Sequence, residues 1–196
     1  MKLNYLLQGS GPAVILMHGM FGSLSNLAGL ARVIAGDHRV ISVDLRNHGD
    51  SPHEEAMDIP LMAADIIELM DDLRLPSAVL IGHSLGGKVA MQIALNHPQR
   101  VASLVVGDIS PVQYPQTNNV LALDALEALS QQQITSRAAA DETMGRYIDE
   151  PVTKGFLLKN VRRLTADKFE LKLNMASITK NYATSLCAAP VGVPFS

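Results

Sequence analysis

The sequence predicts an α/β fold: a mostly parallel sheet covered on both faces by helices. Two observations carry that expectation. Short apolar runs recur at 13–17, 40–43, 78–81 and 104–106, and continuous runs of this length suit strands buried on both faces. Helical periodicities separate them, and strand–helix alternation at this spacing argues for parallel strands joined by crossovers.

The elements follow in order. Leu3, Tyr5 and Leu7 alternate with polar residues and read as a half-exposed strand. Gly9-Ser10-Gly11-Pro12 is a turn. Leu27, Leu30, Ala31 and Ile34 mark one face of a helix, with Ser25 as its cap and Gly36 at its end. Met62, Ile66, Leu69, Met70 and Leu73 form a second amphipathic helix opened by Pro60. A helix of small residues is expected from Leu85 to Asn96.

The pattern changes after Pro111. From about Asn118 to Leu164 the chain reads helical, through Leu123, Leu126, Leu129, Ala139, Met144 and Tyr147, with Pro151 separating two helices. Phe169-Glu170-Leu171-Lys172-Leu173 alternates like a short exposed strand. The expected organisation is a core over 1–111 and a helical cap over 112–196 that leads back toward the core. The alternative, helices that complete the layers over the sheet, stays open.

Composition narrows the function. The chain has 196 residues and a net charge of −3, with aromatic residues at 4% and no tryptophan. It offers neither a basic footprint nor stacking platforms, so nucleic acid is not an expected partner. The one cysteine, Cys187, builds neither an internal disulfide nor a thiolate metal site. The N-terminus does not read as a signal peptide, and no apolar run approaches the roughly 18 residues of a membrane span. A cytoplasmic location is the expectation.

The chemistry concentrates in two loops. Gly82-His83-Ser84-Leu85-Gly86 is a G-x-S-x-G pattern between a buried strand and a helix, the context in which it makes a nucleophile elbow. A sharp strand-to-helix turn lifts the serine oxygen above the sheet, and the helix N-terminus favours developing negative charge. His18-Gly19-Met20-Phe21-Gly22 follows the first buried strand. Acyl transfer needs two backbone N–H groups aimed at an oxyanion. Leu85 is one expected donor and Met20 the other, with Phe21 the alternative to Met20.

Further stretches carry a resemblance. Asp44-Leu45-Arg46-Asn47-His48-Gly49-Asp50-Ser51-Pro52, Gly82-His83-Ser84-Leu85-Gly86-Gly87-Lys88 and Asp108-Ile109-Ser110-Pro111-Val112 resemble the α/β-hydrolase superfamily, in particular small bacterial carboxylesterases of the YbfF type. The resemblance implies an α/β-hydrolase fold with a helical cap. It implies hydrolysis of short-chain acyl esters through an acyl-enzyme on Ser84, without metal or organic cofactor. Thioesterase, haloperoxidase or carbon–carbon hydrolase chemistry on the same elbow is the alternative within the family. A binding protein that has lost its base is the alternative outside it. Asp108 is a candidate catalytic acid, or else it ties down the 109–111 loop.

The family carries its catalytic histidine near the C-terminus, and this sequence has no histidine after His97. His83, beside Ser84, is expected to face away from it because alternate side chains leave a strand on opposite faces. His18 and His48 are expected to order loops, and His38, His53 and His97 to lie on the surface. The resulting expectation is a fold lacking its C-terminal edge. A complementing C-terminal fragment or a strand-swapped homodimer would cover the exposed strand at 104–106. Arg46 and Asn47 either contact substrate or bond loop backbone. Met20, Phe21, Leu123 and Leu126 either line an acyl pocket or belong to the core.

Overall fold

The computed structural model describes residues 1–115, 119–165 and 168–193. Five strands form the main sheet: β1 (Tyr5–Gln8), β2 (Ala13–Met17), β3 (Arg39–Val43), β4 (Ala78–His83) and β5 (Val101–Gly107). Their order is β1-β3-β2-β4-β5, with β1 antiparallel to β3 and the other pairs parallel. Register is set in the centre, where Ile15 faces Ile41 on one side and Leu80 on the other.

The pleat of β2 divides the core. Ile15 and Met17 join the larger cluster with α2 (Ile59–Asp72) and α3 (Leu85–Asn96). Val14 and Leu16 join Val40 and Ala31 in a smaller one under α1 (Ala28–Ile34). Alternate side chains leave a strand on opposite faces, so a strand apolar throughout needs helices on both. Two-sided covering is what the continuous runs predict.

The helix boundaries have local causes. Asp58 caps α2 by accepting the Leu61 N–H at 2.7 Å, and Pro60 occupies the first turn, where a missing N–H costs nothing. α3 carries Gly86, Gly87, Ala90 and Ala94, all buried, and so lies close on the sheet. The first helical segment begins earlier than expected. A 3-10 turn, Leu24–Leu27, precedes α1, and its cap is Ser23 rather than Ser25. Leu30, placed on the buried face by periodicity, is exposed, because α1 is short and only Ala31 is fully buried.

β5 is the one run that departs from burial on both faces. It ends the sheet, and Val105 is 49% exposed.

Beyond β5 the chain forms α4 (Val120–Ser130), α5 (Arg137–Gly145), α6 (Pro151–Leu157), β6 (Val161–Arg163), β7 (Phe169–Leu171) and α7 (Met175–Asn181), followed by a π-helical turn, Tyr182–Leu186. Leu126, Leu129 and Met144 are fully buried, as their spacing predicts. Asn118, the expected start of this region, lies outside the described residues. One feature corrects the helical reading that ran to Leu164. β6 pairs antiparallel with β7, Val161 opposite Leu171 and Arg163 opposite Phe169, and α7 follows. A three-residue strand is too short to show a period of its own; its partner eight residues on defines it.

Candidate active site

The loops after the parallel strands meet at the carboxyl edge of the sheet. Four non-glycine residues there hold positive φ: Phe21 at 59°, Asn47 at 64°, Ser84 at 49° and Asp108 at 58°. They follow β2, β3, β4 and β5 respectively. Such conformations cost about 1–3 kcal/mol each and persist only where the surroundings impose them.

At the elbow, the surroundings are glycines. A side chain on Gly82 would sit 2.2 Å from the Gly86 carbonyl oxygen, and one on Gly86 would sit 2.4 Å from that of Met17. The Ser84 N–H donates to the Gly107 carbonyl at 2.9 Å, tying the elbow to β5. The Ser84 carbonyl accepts from Gly87 and Lys88, starting α3. Gly86 N–H goes to the His18 carbonyl, so the Leu85 N–H is left at the helix start. Among the described residues, neither the Leu85 nor the Met20 N–H has a protein acceptor.

The glycine loop packs on the elbow: a Cβ on Gly19 would lie 3.2 Å from Ser84 Cβ. Histidines hold this loop. His18 accepts the Leu45 N–H on Nε2 at 3.0 Å, and its Nδ1 pairs with the Gly19 carbonyl at 2.8 Å. His48 accepts the Phe21 N–H on Nε2 at 3.3 Å, and its Nδ1 pairs with the Arg46 carbonyl at 2.9 Å. Each ring therefore carries its proton on Nδ1. Burial pushes the His18 pKa down to about 4 and that of His48 to about 3. Both imidazoles are thus neutral and fully committed to backbone, the loop-ordering role expected of them.

The Asp44–Pro52 stretch is likewise occupied with structure. Asp44 accepts from the N–H groups of Leu24 and Asp50 and from the Asn4 amide. Arg46 makes a two-pronged pair with buried Asp65, at 2.6 and 2.8 Å, and reaches the Ala56 carbonyl. Asn47 bonds Ser177, Asn174 and the Glu54 N–H. The loop-backbone reading for Arg46 and Asn47 accounts for one contact of each, to the Ala56 carbonyl and from the Glu54 N–H, and their other bonds go to side chains of Asp65, Asn174 and Ser177.

Two cavities open on Ser84. One, of about 500 Å³, is lined by Met20, Phe21, Leu27, Ala122, Phe156 and Leu157 together with His83, Ser84 and Asp108. α4 and α6 thus stand over the strand ends and wall the cleft. Met20 and Phe21 line it as one reading held. Leu123 and Leu126 do not: Leu126 is wholly core, and Ala122 takes the expected place one residue away. The other cavity, about 420 Å³, is more polar, with Lys88, Tyr114, Asn119, Tyr182 and Cys187 beside Ser84, Leu85 and Asp108. Lys88 is buried and donates to the Cys187 and Ala188 carbonyls, holding the chain after the π-helical turn against α3.

His83 departs from expectation. It lines the cleft with Ser84, half exposed, and its Nε2 lies 3.6 Å from Asp108 Oδ2. The alternation rule fails because Ser84 has left extended geometry; at φ 49° and ψ −116° its side chain no longer follows the pleat. The Asp108 carboxylate makes no hydrogen bond to the 109–111 loop among the described residues; the Ser110 N–H there goes to the Tyr114 hydroxyl. Asn160, Tyr114 and Tyr182 at this site gave no signal in the sequence.

A family model described as alpha/beta hydrolase fold matches residues 12–184. This chain belongs to the alpha/beta hydrolase family. Among its relatives, Esterase YbfF of Escherichia coli (strain K12) is 38% identical over 165 residues, covering 82% of this chain and 65% of the relative. The sn-1-specific diacylglycerol lipase ABHD11 of Xenopus laevis is 36% identical over 178 residues, 87% of this chain and 57% of the lipase. A solved structure titled "Marine microorganism esterase" superposes with a TM-score of 0.89 at 33% identity, covering 98% of this chain and 76% of that one. The chain therefore spans less than two thirds of the length of these two curated relatives. No helix among the described residues is long and apolar enough to cross a membrane.

Proposed function

We propose that this chain carries the nucleophile, oxyanion hole and acid of a serine carboxylesterase acting on short-chain acyl esters. The observation that carries it is Ser84. It sits at φ 49° on the strand-to-helix turn, at the junction of two cavities, with the Leu85 N–H free at the helix start.

In this reading Ser84 Oγ attacks the ester carbonyl carbon and its proton passes to an imidazole. The carbonyl oxygen becomes an oxyanion held by the Met20 and Leu85 N–H groups. Collapse expels the alcohol, which takes the proton back from the imidazolium. Water, activated by the same imidazole, then releases the acid and restores Ser84. Asp108 orients the imidazole and stabilises its charge. The Asp108 side chain is exposed in the cleft and paired only with His83 among the described residues, which leaves it open to such a partner. We assign the imidazole to a histidine supplied by a complementing segment, since His18 and His48 are fully bonded to backbone and His83, which lines the cleft, makes no hydrogen bond to Ser84 among the described residues. The helices α4 to α6 serve as the cap, and the cavity lined by Phe21, Ala122, Phe156 and Leu157 takes the acyl chain. The relatives named esterase and lipase support ester chemistry.

Hydrolysis of p-nitrophenyl acetate and butyrate tests this, with this chain alone and with a complementing C-terminal segment added. Turnover that appears on complementation, and is lost at least about 10⁴-fold in Ser84→Ala, is the expected result. Turnover by the chain alone that survives in Ser84→Ala overturns the reading. Turnover by the chain alone that is lost in both Ser84→Ala and His83→Ala moves the base to His83.

A further inference from the structure

We propose that Asn160, on the 3-10 turn after α6, is a positioning residue that lets the docked cap shape the oxyanion loop. This rests on the role given above to the Met20 N–H. The Phe21 residue is held from two sides. Its N–H donates to His48 Nε2 at 3.3 Å, and its carbonyl accepts from Asn160 Nδ2 at 2.8 Å. His48 belongs to the loop after β3 and Asn160 to the chain beyond the cap helices, 139 residues from Phe21.

Phe21 needs such a clamp. It holds φ at 59° with a bulky side chain, a conformation that relaxes unless neighbours over-determine it. The Met20–Phe21 peptide unit contains the Phe21 N–H that His48 takes. Rotation at Phe21 would turn the Phe21–Gly22 unit held by Asn160 against the Met20–Phe21 unit held by His48, and the Met20 N–H, one peptide unit further back, would shift with them through the Met20 backbone. Asn160 is 3% exposed, so water does not replace its contact. Its amide also donates to the Leu157 carbonyl at 3.1 Å, which fixes it to the end of α6. Leu157 and Phe156 wall the acyl cavity. One side chain thus joins the substrate-facing end of α6 to the strained residue of the loop. A cap displaced from the core loses its hold on Phe21, and the loop loses one of its two restraints.

The test compares wild type with Asn160→Leu, which keeps the branched shape and removes the donors, and with Asn160→Ala. Arg162→Ala, which removes an exposed cap contact to Asp50, is the control. Two readouts are taken on the esterase-competent protein: kcat and KM for p-nitrophenyl butyrate, and amide hydrogen exchange over residues 18–24. The expected result is a kcat lowered about 10- to 100-fold with KM within about twofold, since a misplaced donor acts on the transition state. Exchange over 18–24 quickens while the sheet stays protected, and Arg162→Ala behaves as wild type. Unchanged kcat in folded Asn160→Leu overturns the proposal. So does exchange that rises evenly over the whole cap, which marks a purely structural role. If wild type shows no turnover dependent on Ser84, the esterase reading fails by itself. The exchange readout then still decides whether Asn160 holds the loop, and slow exchange over 18–24 in Asn160→Leu overturns it.

Discussion

The Gly86 N–H donates to the His18 carbonyl at 3.1 Å, joining the first turn of α3 to the glycine loop after β2. This bond requires the two backbones to touch. A Cβ on Gly86 would lie 2.4 Å from the Met17 carbonyl oxygen and 2.6 Å from that of His18. Those neighbours are main chain at the end of the central strand β2 and in the residue after it, and cannot step aside. Gly86→Ala is therefore expected to destabilise the fold by roughly 1–3 kcal/mol, through overpacking. Denaturant unfolding checks this as a lowered midpoint at unchanged slope.

Ser84 stores strain at the same elbow. Its φ of 49° with ψ at −116° is accessible to glycine and costly for serine. Ser84→Gly is expected to be more stable than Ser84→Ala by about 1 kcal/mol, although both abolish the proposed activity. Paired thermal melts of the two variants decide it; equal melting temperatures would show that the elbow is unstrained.

Arg46 and Asp65 form a buried ion pair between the loop after β3 and α2. Removing one partner strands the other charge. Asp65→Ala is expected to cost roughly 3–5 kcal/mol. Joint replacement by apolar residues, Arg46→Met with Asp65→Leu, recovers most of that loss, since the desolvation of both charges disappears. Guanidinium unfolding of the two variants compares them, and an equal loss in both would overturn the expectation that desolvation of the pair dominates.

Acid should loosen the glycine loop. His18 and His48 titrate near 4 and 3 when folded, against about 6.5 when unfolded. The unfolded chain takes up these protons first as pH falls. The contribution is fully present above pH 6.5 and is lost as pH drops from 6.5 toward 4, then on toward 3 for His48. The slope approaches about 1.4 kcal/mol per pH unit for each histidine inside that window. Protonation of either Nε2 also expels the backbone N–H that it accepts. His48→Gln, measured by melts from pH 7 to 4.5, should shed about half of the histidine-dependent slope.

Much of this architecture was legible in the residues. The apolar runs located four strands of the parallel sheet: three are largely buried on both faces, where few polar residues such as Ser42 are tolerated, and the fourth, β5, lies half exposed at the sheet edge. The small-residue helix was read with its observed limits, Leu85 to Asn96. The pattern Gly82-His83-Ser84-Leu85-Gly86 marked the elbow, because backbone crowding at Gly82 and Gly86 tolerates no side chain. These features are local: steric rules and burial act on residues close in the chain, and so they leave a period or a motif.

What the tertiary structure decided was long-range. β6 exists because β7 pairs with it, and His83 enters the cleft because Ser84 breaks the pleat. Asn160 reaches Phe21 across 139 residues. No periodicity records such a contact, since a single buried amide satisfying a single distant carbonyl leaves the sequence around each partner unchanged. The elbow is thus written in neighbouring residues, whereas the loop that faces it takes a bond from Asn160 that exists only once the chain beyond β5 has packed.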